Sequence, residues 1–384
     1  MTKLSVLDLI PVRAGQTSGD AVAASLALVR AAERLGYTRY WVAEHHNMPA
    51  VASTSPATLI AHFAAQTSRI RLGSGGVMLP NHAPLSIAEQ FALLEAMHPG
   101  RIDLGLGRAP GSDPVTAYML RGQRTTTDAD PASTFPTDVE TVAALLGSDR
   151  ASTPGSFGAT DQPGVGLNIR GRSYELKATP QIASAPELWL LGSSNFSATL
   201  AAQLGLAFVY ANHFAAGGMD EALEIYRSRF QPSEALAAPK TILTANVSVA
   251  ETAEQAQLVA LPQLITMAKI RTGGALTAQL SIEDALAASL SPVEQNEVEQ
   301  LSRTWLIGAP EEVEARIRAM AERYGADEVM VTPAGGAYAA DPVDASPSRE
   351  RALELLAARF PELGASAESG SASLAAVAGE TVNA

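Results

Sequence analysis

The chain has 384 residues, 47% of them hydrophobic, and a formal net charge of −13 from 27 Lys+Arg against 40 Asp+Glu. That length suits two average domains or one large α/β barrel with insertions, and the apolar share supports a sizeable core and excludes wholesale disorder. The acidic balance argues against a nucleic-acid footprint or a polybasic membrane patch, and the absence of cysteine removes disulfides, thiolate metal sites and a cysteine nucleophile.

No run reaches the length of a membrane-spanning apolar helix. The opening MTKLSVLDLIPV reads as a strand rather than a signal peptide, so a cytoplasmic location is expected. Leu4–Val12 is the first strand, and Gly19-Asp20 opens a helix with Val22, Leu26 and Val29 as its apolar face and Gly36 as its stop. Arg39–Glu44 is a second strand, rich in aromatic and β-branched residues. Ser55-Pro56 starts a helix to about Ser68, and Ile70–Gly75 is the third strand. Pro84 begins a helix expected to turn Ile87, Phe91, Leu94 and Met97 inward, closed by Gly100. RIDLGL, from Arg101, is the fourth strand and runs into Gly107-Arg108-Ala109-Pro110-Gly111.

Beyond Gly111 the regularity breaks. Thr137–Gly147 is helical, while Ser148–Ala185 is rich in Gly and Pro and reads as an excursion built on a small hairpin. Strand five is Glu187–Leu191, followed by Gly192-Ser193-Ser194-Asn195 and a helix to Gly205. Leu206–Ala211 is strand six, about Gly218–Phe230 a helix, and Thr241–Val249 strand seven. The helix from Thr252 leads into a polar, helix-prone insertion, Met267–Trp305. Pro310–Tyr324 is a helix, Asp327–Thr332 strand eight, and Arg349–Phe360 the last helix.

Strands alternating with helices over short connections are the pattern of βα units. Eight of each predict an α/β fold, a (β/α)8 TIM barrel with insertions after strands 4 and 7. An open doubly wound sheet is the main competitor, but no G-x-G-x-x-G follows any strand. One barrel domain is expected over 1–363, with an Ala/Ser/Gly-rich disordered tail over 364–384.

In a barrel the residues after each strand converge on one mouth. They are Glu44, His45 and His46 after strand two, Gly75-Gly76 after strand three and Arg108 after strand four. Strand five is followed by Ser193, Ser194 and Ser197, and strand six by Asn212 and His213. A lone guanidinium between glycines suits a phosphate or carboxylate. Ser193-Ser194-Asn195-Phe196-Ser197 opens a helix, where free N–H groups, the dipole and hydroxyls together accept a phosphate; an ordinary N-cap is the plainer alternative. His45 and His46 point to opposite sides, one toward the mouth, where a neutral imidazole can handle a proton. Adjacent histidines chelate poorly, and no metal site is expected.

WVAEHHNMP (41–49), GSGGVMLPNHAPLSIAEQFALLEAMHPGRIDLGLGRAPGSD (73–113), LLGSSNFSATLAAQLGL (190–206) and YANHF (210–214) together resemble the bacterial-luciferase-like flavin monooxygenases, in particular their single-chain subgroup. The resemblance runs in order over roughly residues 4–360. It implies a barrel that takes reduced FMN (FMNH2) from a separate NAD(P)H:flavin reductase and reacts it with O2. The resulting C4a-peroxyflavin would oxygenate a small organic substrate. By the same resemblance His45 matches the catalytic histidine, Gly75-Gly76 a non-proline cis peptide beside the flavin ring, and Arg108, Ser193, Ser194 and Ser197 the phosphate-binding positions. A homodimer is also implied. Gly107 stands where the light-emitting members carry a reactive cysteine, and the region after strand seven is not theirs, so neither luminescence nor a long-chain aldehyde is implied. The insertion Met267–Trp305 is expected to act as a lid. Two rival readings are an F420-dependent hydride-transfer enzyme of the same fold and a non-catalytic flavin-binding protein.

Overall fold

Short strands that are apolar on both faces find cover only in a parallel sheet wrapped by helices or closed on itself. In the computed structural model, which describes residues 2–121, 131–149, 161–214, 217–274 and 277–363, these strands close into a ring. The strands are β1 (Lys3–Asp8), β2 (Arg39–Val42), β3 (Arg71–Ser74), β4 (Val77–Met78), β5 (Ile102–Gly107), β6 (Val165–Ile169), β7 (Arg172–Leu176), β8 (Glu187–Gly192), β9 (Ala207–Tyr210), β10 (Thr241–Val249), β11 (Leu306–Gly308) and β12 (Glu328–Pro333). The helices are α1 (Ser18–Arg34), α2 (Pro56–Ala64), α3 (Pro84–Met97), α4 (Pro114–Leu120), α5 (Pro131–Leu146), α6 (Asn195–Leu204), α7 (Met219–Arg229), α8 (Ala253–Arg271), α9 (Ile282–Ala287), α10 (Pro292–Thr304), α11 (Pro310–Arg323) and α12 (Pro347–Arg359).

The parallel order β1-β2-β3-β5-β8-β9-β10-β12 returns to β1, with Val6 opposite both Tyr40 and Val331. This is the expected eight-stranded barrel, with its insertions after the fourth and seventh ring strands. The first insertion carries α4, α5 and the antiparallel hairpin β6–β7, and the second carries α9 and α10. No helix among the described residues is long and apolar enough to cross a membrane. The segment 364–384 lies outside the described residues.

The interior is layered. Leu7, Trp41, Trp189, Ala207, Val209, Ile242 and Met330 form an apolar plug, with the two indoles edge to face at 5.7 Å. Beneath it, at the amino ends of the strands, lies a layer of charge. Arg39 Nε donates to Glu328 at 2.9 Å and Nη1 to Asp103 at 2.9 Å, while Trp41 Nε1 also donates to Asp103 at 2.8 Å. Arg71 pairs with the other oxygen of Asp103, Lys240 with Glu187, and Ser5 with Glu328. The Arg39 guanidinium lies 4.9 Å above the Trp189 ring. Charges this deep survive only when every one is paired.

Helix ends follow local chemistry. Thr17 caps α1 in a reciprocal box with Asp20, so the helix starts before Gly19. Its buried stripe is Ala21, Ala24, Ser25, Leu28 and Ala32 with Val29, and Val22 and Leu26 are only half-buried. The expected face was therefore turned: small residues let the helix sit close to the sheet, and Ser25 donates to the buried Asp8 at 2.6 Å. Met97, expected inside, is 49% exposed, because it ends α3 where the chain turns away at His98. The insertion after β10 opens by finishing α8, not as a separate element, and the chain returns through β11, an added parallel strand on β10 whose three residues are too few to stand out in the sequence.

Candidate active site

The carboxyl ends of the ring strands bring the sequence-predicted residues to one mouth, each by a different local device. After β3 the Gly75–Gly76 peptide is cis. Ser74 Oγ donates to Gly105 O at 2.9 Å and accepts from Gly105 N at 3.0 Å, drawing β5 against the turn. A Cβ on Gly76 would lie 2.9 Å from Gly105 O, so the close approach of these two backbones requires glycine there.

After β5, Arg108 is half-buried and its guanidinium lies 4.1 Å over the Phe196 ring. Among the described residues it has no carboxylate partner. Phe196 is the second residue of α6, so the stack parks a free cation beside that helix's N-terminus. The first-turn N–H groups of a helix lack partners within it. Here Ser194 makes no side-chain cap and no acid stands in the first turn. Ser193 and Ser194 are exposed, whereas Ser197 is 3% exposed with its hydroxyl packed against Gly192. Of the three serines, two thus offer hydroxyls to the mouth, and Ser197 lies behind them.

After β2 the chain splits its three polar residues. Glu44 is buried, and one of its oxygens meets both His46 Nε2 at 2.8 Å and His82 Nε2 at 2.7 Å. Its other oxygen accepts from Met78 N at 2.9 Å. Burial alone would raise this carboxyl, but the bonds from His82, His46 and Met78 hold it below its ordinary range. His46 N donates to Gly111 O at 3.1 Å, so Glu44 and His46 tie the β2 end to the turns after β3 and β5.

His45 turns the other way, into the mouth. Its backbone N–H is held by Ser53 O at 2.9 Å and its ring faces Phe214 at 6.3 Å, while the buried Nδ1 has no partner. His213, after β9, stacks on Phe214 at 4.1 Å and shares a 2.6 Å hydrogen bond through Nδ1 with Thr244 Oγ1. Its carbonyl accepts from Asn246 at 3.1 Å, so it is a positioned residue rather than an open one.

Both imidazoles lie below their ordinary 6.5, His45 at about 4 and His213 at about 3, chiefly because burial strips water from the charged form. Both are neutral at pH 7. The unfolded chain takes up these protons first as pH falls. Stability is therefore intact above about pH 6.5 and is lost as pH drops toward 4. His213→Asn is expected to flatten that loss in urea unfolding between pH 6.5 and 4.5; an unchanged slope would contradict the assignment.

A cavity of about 120 Å³ opens beside His45, walled mainly by Leu9, Met48, Val51, Phe214, Met267 and Ile270. Met267 and Ile270 belong to the second insertion, as does Gln279, which is fixed to the first βα turn through Gln279 N–Val12 O (2.8 Å) and Ala14 N–Gln279 O (2.7 Å). The insertion thus supplies a wall of the cavity. A larger cleft, about 380 Å³, lies at the opposite end, around Arg71, Glu187 and Lys240. In this architecture that end carries stability rather than chemistry.

Sequence reasoning passed over Phe196 and His82. Phe196 lies inside the quoted SSNFS run and its spacing from Arg108 is invisible along the chain. His82 is joined to Glu44 only by the fold.

The family model for luciferase-like monooxygenases matches residues 2–328. A luciferase-like monooxygenase of Escherichia coli K12 is 41% identical over 329 residues, covering 85% of this chain and 90% of that protein. The crystal structure of apo-MsnO8 superposes with a TM-score of 0.75 at 31% identity, covering 94% of this chain and 99% of the other. Two more distant structures share the fold alone. The oxygenating constituent of 3,6-diketocamphane monooxygenase from Pseudomonas putida, in complex with FMN, has a TM-score of 0.64 at 18% identity and covers 93% and 97%. An F420-dependent secondary alcohol dehydrogenase has 0.57 at 15% and covers 92% and 99%. With the barrel, the mouth and these matches in agreement, the chain belongs to the luciferase-like monooxygenase family.

Proposed function

We propose that this protein is a two-component FMN-dependent monooxygenase, receiving reduced FMN from a separate flavin reductase and using O2 to oxygenate a small organic substrate. The observation that carries the reading is the Arg108 guanidinium, without a carboxylate partner among the described residues and stacked on Phe196 beside the N-terminus of α6, whose first turn holds no acid. A phosphate monoester fits that pair of features, which offer a fixed cation, free N–H groups and the Ser193 and Ser194 hydroxyls. Ser197 contributes through its place in the first turn and not through its hydroxyl. The placing of a flavin ring against Gly75-Gly76 rests on the family pattern, because Gly76 is already required by β5 and Gly75 by Leu7 and Trp41.

Bound reduced flavin would supply the activation of O2. The chain's own work is to hold the phosphate, shape the mouth and keep water from the reacting centre. His45, its Nδ1 buried, is neutral at pH 7, and its ring is a group at the mouth able to take part in proton transfer, with burial driving it back to the neutral form. Glu44 positions His46, His82 and the turn after β3. His45→Ala is expected to leave reduced-FMN affinity within about twofold and to lower substrate oxygenation ~10²-fold, the scale of a lost proton-handling group.

Anaerobic titration with reduced FMN and, separately, reduced F420, followed by 18O2 and mass analysis of candidate products, tests the reading. Saturable reduced-FMN binding with one labelled oxygen atom in the product is the expected result. Tight F420 binding with no affinity for reduced FMN would move the assignment to hydride transfer.

A further inference from the structure

Arg108 projects from a loop, residues 108–112, that belongs neither to β5 nor to α4. Where that loop sits matters as much as the charge it carries, because a charge-assisted bond to a phosphate weakens steeply with distance and angle. The stack on Phe196 orients the guanidinium itself. The backbone beneath it is fastened at two carbonyls. Gly111 O accepts from His46 N at 3.1 Å, and Pro110 O, two residues from Arg108, accepts from Asn81 Nδ2 at 2.8 Å. Ser112 Oγ also reaches Pro110 O, at 3.3 Å, but from within the same loop. Asn81 is therefore the side chain that ties this loop to the rest of the barrel. It stands on a rigid support. β4 pairs with the end of β5, Val77 opposite Leu106 and Met78 opposite Gly107, and delivers the short turn Leu79–Asn81 beside the loop. Buried Glu44 holds that turn on both sides, through Met78 N and the His82 ring.

The orientation of the Asn81 amide is fixed by its partner, because a carbonyl oxygen only accepts. The residue is 8% exposed, and its Oδ1 is buried with no partner among the described residues. A buried amide with one end unsatisfied is a costly way to fill space, and an apolar side chain of the same size would fill it at less cost. What the amide contributes is its bond to Pro110 O. We propose that Asn81 is a positioning residue for the phosphate grip: by holding Pro110 O it fixes the loop from which Arg108 reaches the N-terminus of α6. The inference rests on the reading of Arg108 as the phosphate partner and extends it to a residue that touches no flavin.

The test is a double-mutant cycle on the full chain, read by anaerobic titration with reduced FMN and with reduced riboflavin. Asn81→Ala is expected to weaken reduced FMN about five- to tenfold, the scale of one lost side-chain hydrogen bond, and reduced riboflavin less than about twofold. Asn81→Leu, of similar volume and without the donor, should weaken reduced FMN to the same extent while folding as the parent does, which separates the lost bond from a void. With Arg108→Ala already in place, Asn81→Ala should cost reduced FMN less than about twofold more, because no aimed guanidinium is left to misplace. Equal losses for the two flavins on Asn81→Ala, or the same loss with and without Arg108, overturns the proposal, since a residue that only supports the fold would behave in that way. Arg108→Ala alone separates the two ideas. If it costs both flavins equally, the phosphate reading fails and takes this inference with it. If it is selective for reduced FMN and Asn81→Ala is silent, this inference alone is removed.

Discussion

Arg39→Met is expected to destabilise the protein by about 3–5 kcal/mol, the cost of leaving buried carboxylates without their cation. Arg39 is held within the barrel by Asp103, Glu328 and Glu187, and its own side chain is 4% exposed. Methionine fills similar volume and keeps contact with Trp189, so the loss would come from charge rather than from a void. Asp103 keeps Arg71 and Trp41, but Glu328 is left with the Ser5 hydroxyl. Adding Glu328→Gln to Arg39→Met should therefore recover a large part of the loss, since the stranded charge goes with it. Urea unfolding at pH 7 measures both, and a single-variant effect under about 1 kcal/mol would mean that this layer is wetter or looser than its geometry. The layer lies at the amino ends of the strands, so the surviving folded fraction should bind reduced FMN as the parent does.

The second large effect concerns the other end. Arg108→Ala should weaken reduced-FMN binding roughly 10–100-fold while changing reduced-riboflavin binding by less than about threefold, because a charge-assisted bond to phosphate contributes ~1.5–3 kcal/mol and riboflavin has none. Arg108→Lys keeps the charge but loses the planar stack on Phe196, so it should recover only part of the affinity. Anaerobic titration with the two flavins decides. Equal losses for both would show that Arg108 shapes the mouth and does not grip a phosphate.

The barrel was legible because its punctuation is local. Pro56, Pro84 and Pro310 open helices, and each ring strand is short, apolar and covered on both faces, a pattern that does not depend on distant residues. The positions of His45, Arg108 and Ser193-Ser194 at one mouth follow from that count of strands alone. What the chain conceals is pairing across it. RYWV and IDLGLG read as apolar strands, yet each carries a charge at its start, and only ring closure brings Arg39 to Asp103 and Glu328. Glu44 and His82 are 38 residues apart and meet through one oxygen. Met97 misled for the opposite reason: helical periodicity continues to the last turn of α3, whereas the surface that would cover it does not.

The seam between β1 and β12 joins Lys3 to Glu328 and Val6 to Val331. During synthesis the first strand therefore waits for the last: at about 5–20 residues per second, some 15–65 s pass before its partner emerges. Until then β1 has one unpaired edge, and its apolar inner face has no opposite wall. A barrel assembled in this order closes late, after seven of its eight staves are already available.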